Sequence, residues 1–356
     1  MKKLYILIFI SYLFCNNVSA QQLPLYSQYM FNPYLINSAI CGTNDYSMLL
    51  LNYRDQWSGF GNGSVNMMQD GVDPSPKTFS LSFEKGMTNH SAIGFSVAQD
   101  QTLAVKNLSV QLTYAYRFKL NSNLNLSLSL SPVYSSISLN NSELWALDSE
   151  DILWDDETIE KGGNLDFNFG AYMFNDRFDI GFSIANLAET EYSSIGNNIL
   201  GPDEQFYING LDTVNRKIQH LFFHSSYNFQ LNQTHSLSLV PSILVKSTWI
   251  TKPQLDMNLK LIYWDFFWIG TSYRTSDNVI APMFGINTEN LFIGYSYDIS
   301  NSAISSYHSG THAISLGLYF NGANLNKHVR KRNRFSEIRR NKPGGWFYWY
   351  NKSKWW

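Results

Sequence analysis

The 356-residue chain has a formal net charge of −2 and only 15% charged residues, with 16% aromatics. Ordinary soluble domains carry about 25% charged residues. After residue 20 no uninterrupted apolar run reaches the ~18 residues of a spanning helix, so a helical membrane protein is excluded.

The chain opens with Lys2 and Lys3, an apolar run from Leu4 to Phe14, and the small-residue stretch Val18-Ser19-Ala20. This pattern predicts a secretory signal peptide over residues 1–20, removed before Gln21. Phe14 is too bulky to make Cys15 a lipoprotein site. Removal of the leader leaves Cys41 as the one cysteine, so no disulfide framework forms even on an extracytoplasmic route. Stability has to come from the sheet.

Residues 21–44 follow, with Tyr26, Tyr29, Met30, Phe31, Pro33 and Tyr34. Asn32-Pro33 and Gly42 argue against a continuous helix here. Three placements stay open: a plug in a lumen, a periplasmic handle, or packing on a barrel rim.

From residue 45 the chain reads as strands. The clearest is Leu108 to Leu120, where even positions are apolar or aromatic and odd ones polar, charged or small. A two-residue period puts successive side chains on opposite faces of a strand. The pattern resumes at Leu124, Leu126, Leu128 and Leu130 after Asn121-Ser122-Asn123, which predicts a hairpin with one oily and one wet face. Counting such segments predicts about fourteen strands (range 12–16). They lie near 46–54, 77–86, 91–99, 105–120, 123–136, 163–174 and 177–187, then 217–231, 235–247, 254–264, 267–275, 279–287, 290–299 and 311–321. Most suffice to cross a bilayer when tilted, which takes about 9–11 residues.

Short turns follow the even-numbered strands, at 86–90, 121–123, 175–176, 232–234, 265 and 288–290. Long loops follow several odd-numbered ones, at 55–76, 137–162 and 188–216. Outer-membrane barrels show this asymmetry, with short periplasmic turns, long extracellular loops and an even strand number. The wet face carries Gln111, Thr113, Arg117, Asp256, Asn258, Lys260, Arg274 and Asp298. Aromatics such as Tyr116, Tyr134, Trp264, Tyr295 and Tyr297 fall toward strand ends, where interfacial girdles belong. A soluble sandwich has the same alternation turned inside out. Strand length, low charge and aromatic placement favour an all-β transmembrane antiparallel β-barrel over residues 45–321, in the outer membrane and surrounded by its lipid, with both termini periplasmic.

The tail, residues 322–356, departs from this pattern. From residue 321 onward the chain carries +9 and the leader +2, which leaves −13 on residues 21–320. A basic stretch with Arg332, Arg334, Arg339 and Arg340 precedes Pro343-Gly344-Gly345 and an aromatic end with Trp346, Trp349, Trp355 and Trp356. In the cytosol this would suggest nucleic acid. Periplasmic placement excludes that and leaves an anionic surface or a protein partner.

Several motifs together resemble the PorP/SprF family, outer-membrane proteins of the type IX secretion and gliding motility systems of Bacteroidota. They are Tyr26-Ser27-Gln28-Tyr29-Met30-Phe31-Asn32-Pro33-Tyr34-Leu35-Ile36-Asn37, Asn52 to Trp57, Pro76-Lys77-Thr78, Thr113 to Arg117, Pro241-Ser242, Gly270 to Arg274, Gly294 to Asp298, and the strand from His312. The resemblance covers about residues 22–320. The chain departs at Ala39-Ile40-Cys41-Gly42, where relatives end on an Ala-Gly type, and after Phe320, where many relatives stop. The resemblance implies a non-enzymatic role and no cofactor. PorP-like members associate with the periplasmic ring lipoprotein complex; SprF-like members help deliver or hold a large surface adhesin.

Candidate sites follow from the residue types. Arg54 could pair with a lumen carboxylate, with Asp298 as a candidate mate, or grip a partner carboxylate. Arg117 is expected in the lumen near the turn at 121–123. Loop 143–160 interleaves eight acids with Trp145, Ile152 and Trp154, which fits a solvated loop, a partner surface or, without EF-hand spacing, calcium. No catalytic or metal set is visible. The seven histidines are scattered, and His220 and His224, helix-like in spacing, stand about 13 Å apart by rise on a strand. A diffusion porin or hydrophobic-compound transporter, and a soluble secreted β-protein, are the rival readings.

Overall fold

The computed structural model describes residues 29–44, 46–60, 75–140, 159–191, 217–232, 237–249, 251–264, 266–288, 290–300 and 305–321. The predicted leader, the tail, and Trp145 and Trp154 lie outside the described residues. Fourteen staves form the wall: β1 Tyr46–Asp55, β2 Lys77–Gly86, β3 Ser91–Thr102, β4 Val105–Lys119, β5 Asn125–Asn140, β6 Ile159–Phe174, β7 Phe178–Ala185, β8 His220–Tyr227, β9 Leu237–Thr248, β10 Gln254–Tyr263, β11 Phe267–Arg274, β12 Val279–Asn287, β13 Leu291–Ser300 and β14 Thr311–Asn321. The two-residue piece Phe229–Gln230 extends β8 past Asn228 and pairs with β9. The Asn228 N–H turns the other way and donates to Arg177 O at 2.7 Å.

Every stave is antiparallel to its neighbours, and the sheet closes on itself. β14 pairs with β1 in one unbroken register, from Tyr46↔Asn321 to Asp55↔His312. In lipid no water satisfies a free strand edge, so closure is what makes such a sheet tolerable. The short connections at 87–90, 120–124, 175–177 and 288–290 lie at one end, together with the start of β1 and the end of β14. Length does not alternate strictly at the other end, since β3 and β4 are joined there by Leu103-Ala104 alone.

The staves are unequal. β4, β5 and β6 have 15, 16 and 16 residues, whereas β7, β8 and β11 have eight each. All of these align at the short-turn end, where Lys119 faces Asn125 and Asn125 faces Phe174. The β6–β7 ladder stops at Phe169↔Ile184. The surplus therefore projects at the long-loop end, by roughly 30 Å of tilted strand.

The two faces sort by chemistry. Leu112, Tyr114, Leu130, Leu165, Ile280 and Phe284 point outward and are more than half exposed. The alternate positions Thr113, Ala115, Arg117, Ser129 and Ser131 are buried toward the interior. The inner face is not uniformly polar, as the sequence reading of the wet face supposes. On β1, β11, β12 and β13 it carries Met48, Leu50, Trp268, Val279, Met283 and Phe292 in one apolar cluster. These side chains shift the alternation by nothing; they meet an apolar guest inside the lumen.

The outward face makes a direct prediction. Leu112→Arg places a guanidinium mid-stave in the lipid band and should cost roughly 2–4 kcal/mol, read by urea unfolding from lipid vesicles. An unchanged unfolding midpoint would show that this face does not meet lipid.

Candidate functional site

Small inward residues leave room at the centre of the barrel, and the chain's own residues 29–43 occupy it. Eight staves fill their interior with wall side chains, and larger barrels leave a lumen. Here the inner wall is rich in serine and glycine, including Ser80, Ser82, Ser127, Ser129 and Ser131. Pro33 opens a single 3₁₀ turn, Pro33–Leu35, where its missing N–H costs nothing. The Asn37 side chain caps a second turn, Ser38–Ile40, by accepting from Ala39 N at 3.0 Å. Gly42, at φ +62°, then turns the chain toward β1, and a Cβ there would stand 2.5 Å from that of Ala92.

The segment is bonded to the wall all the way round. Asn32 Nδ2 donates to Ser82 Oγ on β2 at 2.8 Å. Tyr34 OH bonds Thr113 Oγ1 on β4 at 2.8 Å, and Ser38 Oγ bonds Ser129 Oγ on β5 at 2.8 Å. Asn37 Nδ2 donates to Ala171 O on β6 at 3.0 Å and lies 3.2 Å from His224 Nε2 on β8. Ser183 Oγ on β7 donates to Ile36 O at 2.6 Å, and Asn258 on β10 donates to Tyr29 OH. Phe31 fills the apolar cluster, its ring 4.6 Å from that of Trp268 and 5.6 Å from that of Phe292. The wall is recessed to admit these groups. A Cβ at Gly94 would sit 2.7 Å from Tyr34 OH and 2.9 Å from Cys41 Sγ.

Arg117 is fully buried near the short-turn end. Its guanidinium donates to Gly42 O and, at 2.6 Å, to Thr88 O. The Gly42 N–H donates to Glu84 Oε2 at 3.2 Å. The two peptide groups that flank Gly42 are thus both held, the carbonyl by the Arg117 guanidinium and the amide by the Glu84 side chain.

The long-loop end of the lumen holds ion pairs. Arg54 meets Asp298 at 2.9 Å, Arg274 reaches the same carboxylate at 3.4 Å and Asp277 at 2.7 Å. Lys246 pairs with Asp256 at 2.7 Å. Sequence reasoning missed Asn37, Glu84, Lys246 and Lys217: Glu84 meets the segment only because the barrel encloses it, and Lys246 meets Asp256 across the β9–β10 ladder. His220 and His224 both face inward on β8 and are buried, with no group of three metal-ligating side chains among the described residues.

Two measurements check this arrangement. Asp298→Ala leaves two buried guanidinium groups without their shared carboxylate and should destabilise the barrel by about 3–5 kcal/mol, read by urea unfolding; a loss under ~1 kcal/mol would mean the pair is solvated. Gly94→Leu should expel the inner segment while the barrel stays folded. Planar-bilayer conductance should rise several-fold over the parent; equal conductance in both would contradict the fit.

The profile described as "Type IX secretion system membrane protein PorP/SprF" matches residues 18–318. No curated protein sequence matches the chain. Among solved structures, a FadL homologue of Pseudomonas aeruginosa is 14% identical, covering 78% of this chain and 90% of its own, with a TM-score of 0.45. The CymD monoaromatic hydrocarbon channel is 9% identical over 85% and 94%, at 0.48. BamA from Haemophilus ducreyi lacking POTRA domains 1–3 is 9% identical over 78% and 70%, at 0.38. Nothing about ligand or activity passes to this chain at such identities. The family profile spans most of the sequence, and the closed barrel is an outer-membrane architecture. The chain belongs to the PorP/SprF family of type IX secretion system membrane proteins.

Proposed function

We propose that the protein is a non-enzymatic outer-membrane component of the type IX secretion and gliding machinery, built as a filled barrel rather than an open pore. The observation that carries this reading is residues 29–43, which bond to staves around the whole lumen. A diffusion porin needs that space. The short-turn end is periplasmic in this reading, by the asymmetry of outer-membrane barrels. The end of β14 then delivers residues 322–356 to the periplasm as a docking tail. Its ten Lys or Arg from residue 321 onward face one acid, Glu337, a charge balance suited to an acidic periplasmic partner. The tail links the barrel to ring lipoproteins, or the long outer loops, with Trp145 and Trp154, help deliver or anchor a surface adhesin.

Affinity isolation from native membranes tests the reading. Full-length protein should bring down periplasmic ring proteins or an adhesin, and neither should be found with an unrelated outer-membrane barrel. Deleting 322–356 should leave heat-modifiable gel mobility intact and reduce ring-protein recovery at least several-fold. Recovery of neither partner by the full chain, together with high conductance in planar bilayers, would replace this function with diffusion or small-molecule uptake.

A further inference from the structure

A chamber of about 600 Å³ lies above the inner segment on the long-loop side. That is the size range of small-molecule sites. Its floor is Tyr34, Leu35 and Ile36 of the segment, and its back wall is the projecting part of β4 and β5. The inward column of β5 there reads Val133, Ser135, Ile137 and Leu139, aliphatic but for one hydroxyl.

The charged and amide groups of the lining are engaged within the wall. Lys217 Nζ donates to Ser135 Oγ at 2.5 Å, Lys246 pairs with Asp256 at 2.7 Å, and Asp100 accepts from Thr78 Oγ1 at 2.6 Å. Gln111 donates to Thr113 Oγ1 at 3.1 Å and accepts from Asn168 Nδ2 at 2.7 Å; the Asn168 side-chain oxygen in turn accepts from Asn186 N at 3.0 Å. A charged guest would have to break into these contacts to be satisfied, whereas a neutral one would displace none.

One lining group differs. His220, at the start of β8, is only 4% exposed. Its Nδ1 lies 2.9 Å from Ile218 O, which can only accept, so Nδ1 carries a proton. In the neutral ring Nε2 is then a bare acceptor, and it meets no donor among the described residues. The ring also stacks on that of Phe222 at 6.4 Å, and Phe222 lines the same chamber and packs on Ile36 of its floor. The imidazole is thus held from two sides with its lone pair unmet. A buried acceptor in that state is costly, and what it lacks is a donor, not a charge.

We infer that this chamber binds a neutral, largely apolar molecule with one hydroxyl head, the hydroxyl donating to His220 Nε2 and the hydrocarbon lying on Phe222, Ile36 and the aliphatic column of β5. The site goes beyond the secretion role and needs only the inner segment as its floor.

Two isomers, 1-heptanol and 1-methoxyhexane, have the same composition and differ in the donor. Each is titrated calorimetrically into the full chain in maltoside micelles at neutral pH, against matched blank micelles. Heptanol should bind one per barrel and at least about threefold tighter than the ether, the worth of one net hydrogen bond. His220→Phe should abolish the preference, heptanol then binding no tighter than the ether. His220→Gln, which restores an acceptor, should recover it. Heat-modifiable gel mobility confirms that each variant is folded. Equal affinity of the two isomers for the parent chain, a preference that survives His220→Phe, or no heat beyond blank micelles would overturn the inference. So would tighter binding of heptanoate than of heptanol, which would make the head anionic.

Discussion

The ladder between the first and last staves is the constraint on which everything else depends. A sheet in lipid cannot leave a row of peptide groups unpaired, each worth several kcal/mol when stranded. The ten-residue register between β1 and β14 removes that edge. Once fourteen staves close, their circumference sets a lumen too wide for wall side chains alone. That width creates the problem which residues 29–43 answer.

The answer is built from small residues in the wall and specific ones in the segment. Serines at 82, 129 and 183 are short enough to let the guest approach and polar enough to bond it. Gly94 and Gly42 supply space where even a methyl group would collide. Phe31 works by the opposite means, burying an aromatic ring against Trp268 and Phe292. The interior is therefore polar where the segment offers backbone and hydroxyls, and apolar where it offers Phe31. With the lumen filled, the two ends differ: ion pairs and tall staves lie at one, the end of β14 at the other.

The wall was legible from sequence because one face of each stave must be apolar over its whole length. The 2-residue period at 105–120 and the turn residues at 121–123 mark the β4–β5 hairpin within a few positions. Ends that project beyond the lipid band were harder: β5 runs to Asn140 and β6 starts at Ile159, past where the alternation suggested. Outside the lipid the outward face is free to be polar, as at Ser136 and Ser138, and the period fades. The contacts of the inner segment had no local signature. Asn37 and His224 are 187 residues apart, and only closure of the sheet makes them neighbours. Arg54 and Asp298 stand at the same end of β1 and β13, two staves that both flank β14, so strand position alone puts them at one height.

The central claim is that residues 29–43 sit inside the barrel, against the inner wall, in the membrane as well as in the fold. Ser38 and Ser129 have their hydroxyl oxygens 2.8 Å apart across that contact. With Cys41→Ser to remove the native thiol, the pair Ser38→Cys and Ser129→Cys should form a disulfide in native outer membranes. The pair Ser38→Cys and Ser315→Cys, which would join the segment to β14 instead of β5, should not. A Ser38→Cys thiol that forms no bond with position 129 and reacts freely with a membrane-impermeant maleimide would contradict the account.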